Sequence, residues 1–233
     1  MDQPSLIVDD LSHPGVRILT LNRIAKANAL HEELYALLTH AFGEVNDLPL
    51  VRAVVLKSSS SKIFCAGADV HAFAALPLKE AQIKRRQQLV NTMCSMLTCH
   101  KPVIAALQGK VIGAGAMLAL AADAIVATPS VTLSFPEIHL AMPSPIGIAI
   151  LKKRAGLHHI HRLIQLGEIL GSEELTNALV IDRLCDTEAL MEECLQYASA
   201  PLDQEAYRVN KNWLNRSIMA EILDAQGHLN QLA

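Results

Sequence analysis

The sequence predicts an α/β fold: a layered core of strands and helices followed by a helical C-terminal region. Three observations carry that prediction. Short β-branched runs alternate with segments whose apolar residues recur at helical spacing, the alternation repeats through the first two thirds, and strand signals fade after Gly147. With 233 residues the chain can bury a full core without disulfide staples.

The elements follow in order. Residues 6–10 and 16–21 are apolar runs separated by Ser12-His13-Pro14-Gly15, a turn composition, and so form a hairpin. Leu34, Leu37, Leu38, Ala41, Phe42 and Val45 mark residues 31–45 as a helix, and 51–57 is a β-branched strand entering a Ser-rich loop. A helix at 87–98, a buried strand at 102–108, a helix at 115–122 and a strand at 123–127 repeat the pattern. Beyond them, helices are expected at 148–155, 160–166, 172–178, 188–198 and 204–232. No Pro-rich or Gly/Ser-rich tether divides the chain, and the change of texture separates a core at 1–170 from a helical region at 171–233.

Composition narrows the function classes. Twenty basic and 23 acidic residues are spread along the chain, leaving no electrostatic footprint for a nucleic-acid backbone. Lys84, Arg85 and Arg86 form the one notable basic cluster, either a solvated helix face or a contact to a phosphate-bearing ligand. The apolar run 111–122 is interrupted by Asp123 and too short for a bilayer, so no membrane partner is expected. Five cysteines at spacings unlike a zinc ribbon or a disulfide framework suit a reducing compartment, no metal site is expected, and the N-terminus shows no secretion signal. A cytoplasmic location follows.

Two segments combine strands with tight, small-residue turns. In Phe64-Cys65-Ala66-Gly67-Ala68-Asp69-Val70 a strand end enters a sharp turn, which serves either packing or close approach of a ligand to the backbone. In the second, the strand from Lys101-Pro102 ends at Gly109, and Gly113-Ala114-Gly115 then opens a helix among tiny side chains. The first turn of a helix has unpaired N–H groups and the positive end of the helix dipole, which suit a developing oxyanion; close helix–strand packing explains the same residues. A nucleotide loop is disfavoured because the Gly-Lys-Ser of a phosphate loop is absent.

Together with Thr20-Leu21-Asn22-Arg23, Asn28-Ala29-Leu30, Ala121-Ala122-Asp123 and Phe135-Pro136-Glu137, these segments resemble the crotonase superfamily, the enoyl-CoA hydratase and isomerase family. The resemblance implies a spiral of ββα units with a C-terminal helical region that forms a homotrimer or a dimer of trimers. It implies an acyl-CoA substrate, with coenzyme A entering as part of the substrate and no permanently bound cofactor. The amides matching Ala68 and Ala114 would form the oxyanion hole, shaped by Gly67, Gly113 and Gly115. The turn with Ala66, Asp69 and Val70 would lie along the adenine.

Hydratases of that family use two glutamates; here Met117 stands at the first position and Glu137 at the second. Pro143-Ser144-Pro145-Ile146-Gly147 replaces the usual glycine-rich run, and Pro145 has no N–H to offer a water. A single carboxylate can take a proton from one carbon and return it to another, so the pattern resembles the 3-enoyl to 2-enoyl isomerases. Hydration, decarboxylation and an acyl-CoA binding subunit with little turnover are the alternatives. His139 would share a face with Glu137 if that segment were extended, Cys65 reads as packing, and Lys211, Trp213 and Arg216 read as subunit packing or solvent-facing residues.

Overall fold

The computed structural model describes residues 7–72 and 75–232. The hairpin is β1 (Ile7–His13) and β2 (Val16–Leu21), antiparallel, with Gly15 turning at φ 74°. Leu6, which the sequence assigns to this first strand, lies outside the described residues. From β2 the large sheet grows by parallel pairing through β3 (Ala53–Ser58), β5 (Val103–Leu107), β7 (Ala124–Ala127) and β10 (Arg183–Leu184).

These strands are apolar almost throughout because both faces are covered. Val54, Leu56, Val103, Ala105, Leu107 and Ile125 face the main core. Their alternates Ala53, Val55, Ile104, Ala106, Ala124 and Val126 pack against Leu190, Cys194 and Ala198 of α7 (Leu190–Ala198).

A second, smaller sheet holds β4 (Ile63–Cys65), β6 (Lys110–Ile112) and β8 (Thr132–Ser134) in parallel, with β9 (Ile169–Gly171) antiparallel at its edge. Each turn of the chain thus lays one strand in the large sheet and one short strand in the small sheet. A helix follows in the first two turns: α2 (Leu78–Thr98) after β4 and α3 (Ala114–Ala121) after β6. This is the ββα spiral that the resemblance implies.

Around the spiral pack α1 (Glu32–Glu44), α4 (Pro145–Leu151), α5 (Leu157–Ile160, running into a π-helical turn), α6 (Ser172–Asn177) and α8 (Gln204–Leu232). Every residue of α3 is buried, as its Ala-Gly-Ala-Met-Leu-Ala-Leu-Ala sequence demands. α8 lies across α2 and α4 and buries Ile218, Ile222, Ala225 and Leu229 in the main core.

The division drawn at residue 170 falls inside β9, and β10 and α7 beyond it complete the large sheet and cover its second face. Lys211 is buried rather than solvent-facing. Its ammonium donates to Asp123 Oδ2 at 2.6 Å and Lys101 O at 3.0 Å, and the same carboxylate oxygen accepts the Val103 amide at 2.8 Å, tying α8 to the start of β5. Trp213 is exposed, with Arg216 stacked over its ring at 4.3 Å. Among the described residues no helix is long and apolar enough to cross a membrane.

Candidate active site

The strands β4, β6 and β8 are neighbours in the small sheet, and the segment that follows each of them reaches one cleft of about 420 Å³. Ala66, Gly67, Ala68 and Val70 come from the turn after β4, Gly113, Ala114 and Met117 from the start of α3, and Glu137 from a 3-10 turn (Pro136–Leu140) after β8.

The turn after β4 is pinned by a short parallel bridge between Leu30 and Ala68. Leu30 N donates to Gly67 O and Asp69 N to Leu30 O, each at 2.8 Å, so the Ala68 amide faces the other way. Beneath it Asn28, wholly buried at φ 54°, donates to Phe64 O at 3.0 Å and Ser58 Oγ at 2.8 Å and accepts the Arg23 amide at 2.8 Å. Gly67 is needed at φ 92°, and a Cβ there would lie 3.0 Å from Ile112 O and 3.5 Å from Ala114 N. The two turns therefore abut.

Gly113, at φ 51° and ψ −120°, turns β6 into α3; its own amide goes to Ser134 O at 2.9 Å, and its carbonyl accepts Met117 N at 3.0 Å. As first residue of α3, Ala114 has no acceptor within the helix, and its N–H takes none elsewhere among the described residues. Gly115 lets the helix close on β4: a Cβ there would stand 2.6 Å from Cys65 Cβ and 2.7 Å from its Sγ. Adjacent strands lie about 4.8 Å apart, so two amides carried just beyond neighbouring strand ends can converge on one oxygen.

Glu137 meets this pair from the third strand. Its Oε1 lies 2.8 Å from where a Gly113 Cβ would be, which places the carboxylate directly against the residue preceding Ala114. Burial pushes its pKa above the usual glutamate range, only partly offset by its own backbone amide, and Oε2 is buried without a hydrogen-bond partner. Such a group is a stronger base than a solvated carboxylate and holds a proton longer. Met117, one turn into α3, presents a thioether whose methyl lies 3.2 Å from where a Gly147 Cβ would be, and Ser144 Oγ is a further buried, unpartnered atom on this wall.

The remaining sequence candidates sort as follows. Asp69 turns away from the cleft; burial raises its pKa, but the Arg23 guanidinium at 2.7 Å and the His71 amide at 3.1 Å hold it lower overall. It lines an adjoining pocket with Arg23, Lys26 and His31. His139 does not share a face with Glu137. Pro136 starts a 3-10 turn, so the extended segment that would align the two does not form, and His139 Nε2 packs 2.2 Å from where a Gly167 Cβ would be, in the loop before β9. Burial raises the Cys65 thiol to about 12, and its Sγ donates to Asn28 O at 3.1 Å, so it is packing and not a nucleophile.

The opposite wall is one that the motifs did not mark. Tyr35 of α1, Gln82, Arg85, Arg86 and Leu89 of α2, and Leu229 and Leu232 of α8 line it. Lys84, by contrast, leaves the basic cluster to pair with Glu32 at 2.9 Å. The i, i+3, i+4, i+7 spacing of residues 82, 85, 86 and 89 is the sequence signal for a shared face.

Known proteins share this fold. The family model described as Enoyl-CoA hydratase/isomerase matches residues 12–231. The 2,3-dehydroadipyl-CoA hydratase of Escherichia coli is 30% identical over 185 residues, 79% of this chain and 71% of that protein. A crotonyl-CoA hydratase of Syntrophomonas wolfei is 27% identical over 209 residues, covering 88% and 80%. The crystal structure of an enoyl-CoA hydratase from Mycobacterium smegmatis superposes with a TM-score of 0.86 at 28% identity, covering 98% of this chain and 90% of that one.

Proposed function

As a member of the enoyl-CoA hydratase/isomerase family the chain is an acyl-CoA enzyme, and we propose that it moves the double bond of a 3-enoyl thioester to the 2-position. The observation that carries this reading is that Glu137 is the single carboxylate among the described residues lining the cleft.

The thioester oxygen accepts the Ala68 and Ala114 amides, which draw charge onto it and acidify the α carbon. Each such donor contributes about 3–4 kcal/mol of transition-state stabilisation in a dry site. Glu137 takes the C2 proton, the electron pair delocalises into a dienolate, and the protonated carboxyl, which exchanges with solvent between the two steps, delivers a proton to C4 while the double bond comes to rest between C2 and C3. Its raised pKa brings base and carbon acid closer together. Nothing else is consumed, so no resident cofactor is needed. Water addition would require a second group to orient a nucleophile, and beyond Ala114 the α3 residue that lines the cleft is Met117, a thioether.

Hydration is the second reading, favoured by the hydratase names of the relatives and by the unpartnered Ser144 hydroxyl on the cleft wall. Incubation of wild type and Glu137→Gln with 3-enoyl and 2-enoyl thioesters in deuterated water, read by mass spectrometry, separates the two. Glu137-dependent migration with deuterium exchange supports isomerisation. A 3-hydroxyacyl product supports hydration.

Self-association as a trimer or a dimer of trimers belongs to the same proposal. It is supported by the exposed apolar residues Val209, Trp213, Leu214 and Leu223 on α8, and light scattering at graded concentration checks it. Five free thiols among the described residues support a reducing, cytoplasmic setting.

A further inference from the structure

The wall of the cleft formed by α1, α2 and α8 is chemically unlike an alkyl-chain tunnel. Gln82, Arg85 and Arg86 occupy three of the four positions that α2 turns toward it. Arg86 Nε donates to Asn230 Oδ1 of α8 at 3.1 Å, which fixes the guanidinium plane, while Nη2 is buried without an acceptor. Burial and the like charge of Arg85 lower the Arg86 pKa, and no ion pair joins it to a carboxylate among the described residues. Arg85 Nη1 reaches only Val70 O, at 3.3 Å.

Tyr35 supplies a second orphan. It is 1% exposed, its hydroxyl has no partner, and it lies within electrostatic reach of both Cys65, beneath the oxyanion turn, and Arg85. These two donors without acceptors belong to side chains that line one cavity. Sliding methylenes over them would leave both groups dry and unbonded, whereas an anionic oxygen would satisfy them.

We propose that this end of the cleft is a subsite for a carboxylate at the far end of the acyl group, held by the Arg86 guanidinium and the Tyr35 hydroxyl, so that the preferred substrates are thioesters of dicarboxylic acids. The proposal rests on the placement of the thioester carbonyl at Ala68 and Ala114. Coenzyme phosphates carry the same anionic oxygens, but a phosphate dianion is poorly matched to a buried site holding one fixed guanidinium and a phenol.

The test is calorimetric binding of saturated, unreactive thioesters, each as the coenzyme A form and as the phosphate-free N-acetylcysteamine form. Hexanoyl is compared with its ω-carboxy counterpart, adipyl. With two charge-assisted bonds the wild type is expected to bind adipyl about 10- to 100-fold more tightly than hexanoyl on both carriers. Arg86→Met is expected to erase that preference while leaving hexanoyl binding in place, and Tyr35→Phe to reduce it severalfold.

Equal or weaker binding of adipyl by the wild type overturns the proposal and needs no variant to fold. An Arg86→Met loss shared by both acyl groups and confined to the coenzyme A forms also overturns it, assigning the arginine to phosphate. Because these ligands do not react, the outcome is independent of double-bond migration; a wild type that binds neither acyl group overturns the thioester reading along with the subsite.

Discussion

Replacing Glu137 by Gln should separate activity from stability in opposite directions. The carboxylate is buried enough to raise its pKa, its Oε2 has no partner, and only its own amide favours the charged form. The folded protein therefore holds this proton more tightly than the unfolded chain does. Stability from this group is complete below the ordinary glutamate range and is lost as pH rises through the raised folded-state value. Glutamine keeps the shape and cannot ionise, so its stability relative to wild type should be near zero difference at pH 4–5 and grow as pH rises. A buried, unsatisfied charged oxygen costs about 1–3 kcal/mol, so the variant should gain about that much by pH 8. For a domain of this size that is roughly 2–12 °C in Tm. Over the same range kcat should fall by about 10²–10⁴-fold, the usual contribution of a positioned base. Thermal melts across pH 5–8, paired with deuterium exchange at the α carbon, measure both. A variant equally or less stable at every pH would refute the claim that the carboxylate is stored at a cost, and undiminished exchange would remove Glu137 from the chemistry.

Further outcomes follow from the turns. Gly113→Ala forces a side chain into φ 51°, ψ −120° with its Cβ 2.8 Å from Glu137 Oε1; it should lose about 1–3 kcal/mol of stability. Displacing the carboxylate should also lower kcat by about 10²-fold with KM little changed, by steady-state kinetics. Asn28→Ala removes three hydrogen bonds under the Ala68 turn, two of them buried, and should cost about 3 kcal/mol in urea denaturation, with weaker thioester binding. Lys153, whose ammonium caps α3 through Ala121 O and Ala122 O at 2.9 and 2.8 Å, has its pKa lowered by burial to about 8. Between that value and the ordinary lysine range the unfolded chain binds the extra proton, so this group makes stability rise with pH. Lys153→Met should flatten that rise, read as the difference between the two Tm profiles from pH 7 to 10.

The strands β2, β3, β5 and β7 were legible as continuous apolar runs and α1 because its burial is periodic, and α8 was read to its observed ends at Gln204 and Leu232. The turns that carry Ala68 and Ala114 were legible because tight turns restrict residue type, whereas the roles proposed for those two amides and for Glu137 came from the family resemblance. The small strands were not, since β4, β6, β8 and β9 are three residues long and β10 two, shorter than the roughly four residues over which an alternation can be read. α2 begins at Leu78, nine residues before the sequence marks it, because Leu78 to Arg86 carries the polar run Lys-Glu-Ala-Gln-Ile-Lys-Arg-Arg. Lys211 was read as subunit packing or solvent-facing, and the basic cluster with Arg86 stayed open between a solvated face and a phosphate-bearing ligand, because the burial of both is created by elements far away in the chain and nothing local distinguishes a buried lysine or arginine from a solvated one.

The spiral also sets when the chain becomes competent. Ala68, Ala114 and Glu137 sit on three successive windings, and no winding contains two of them. Closing each winding costs loop entropy before its parallel pairing repays it. A chain with only the first two windings docked would present the two amides proposed to hold the thioester oxygen and lack the proposed base. Thioester capture should thus appear earlier in refolding than proton exchange, and the interval between the two would time the docking of β8 onto β6.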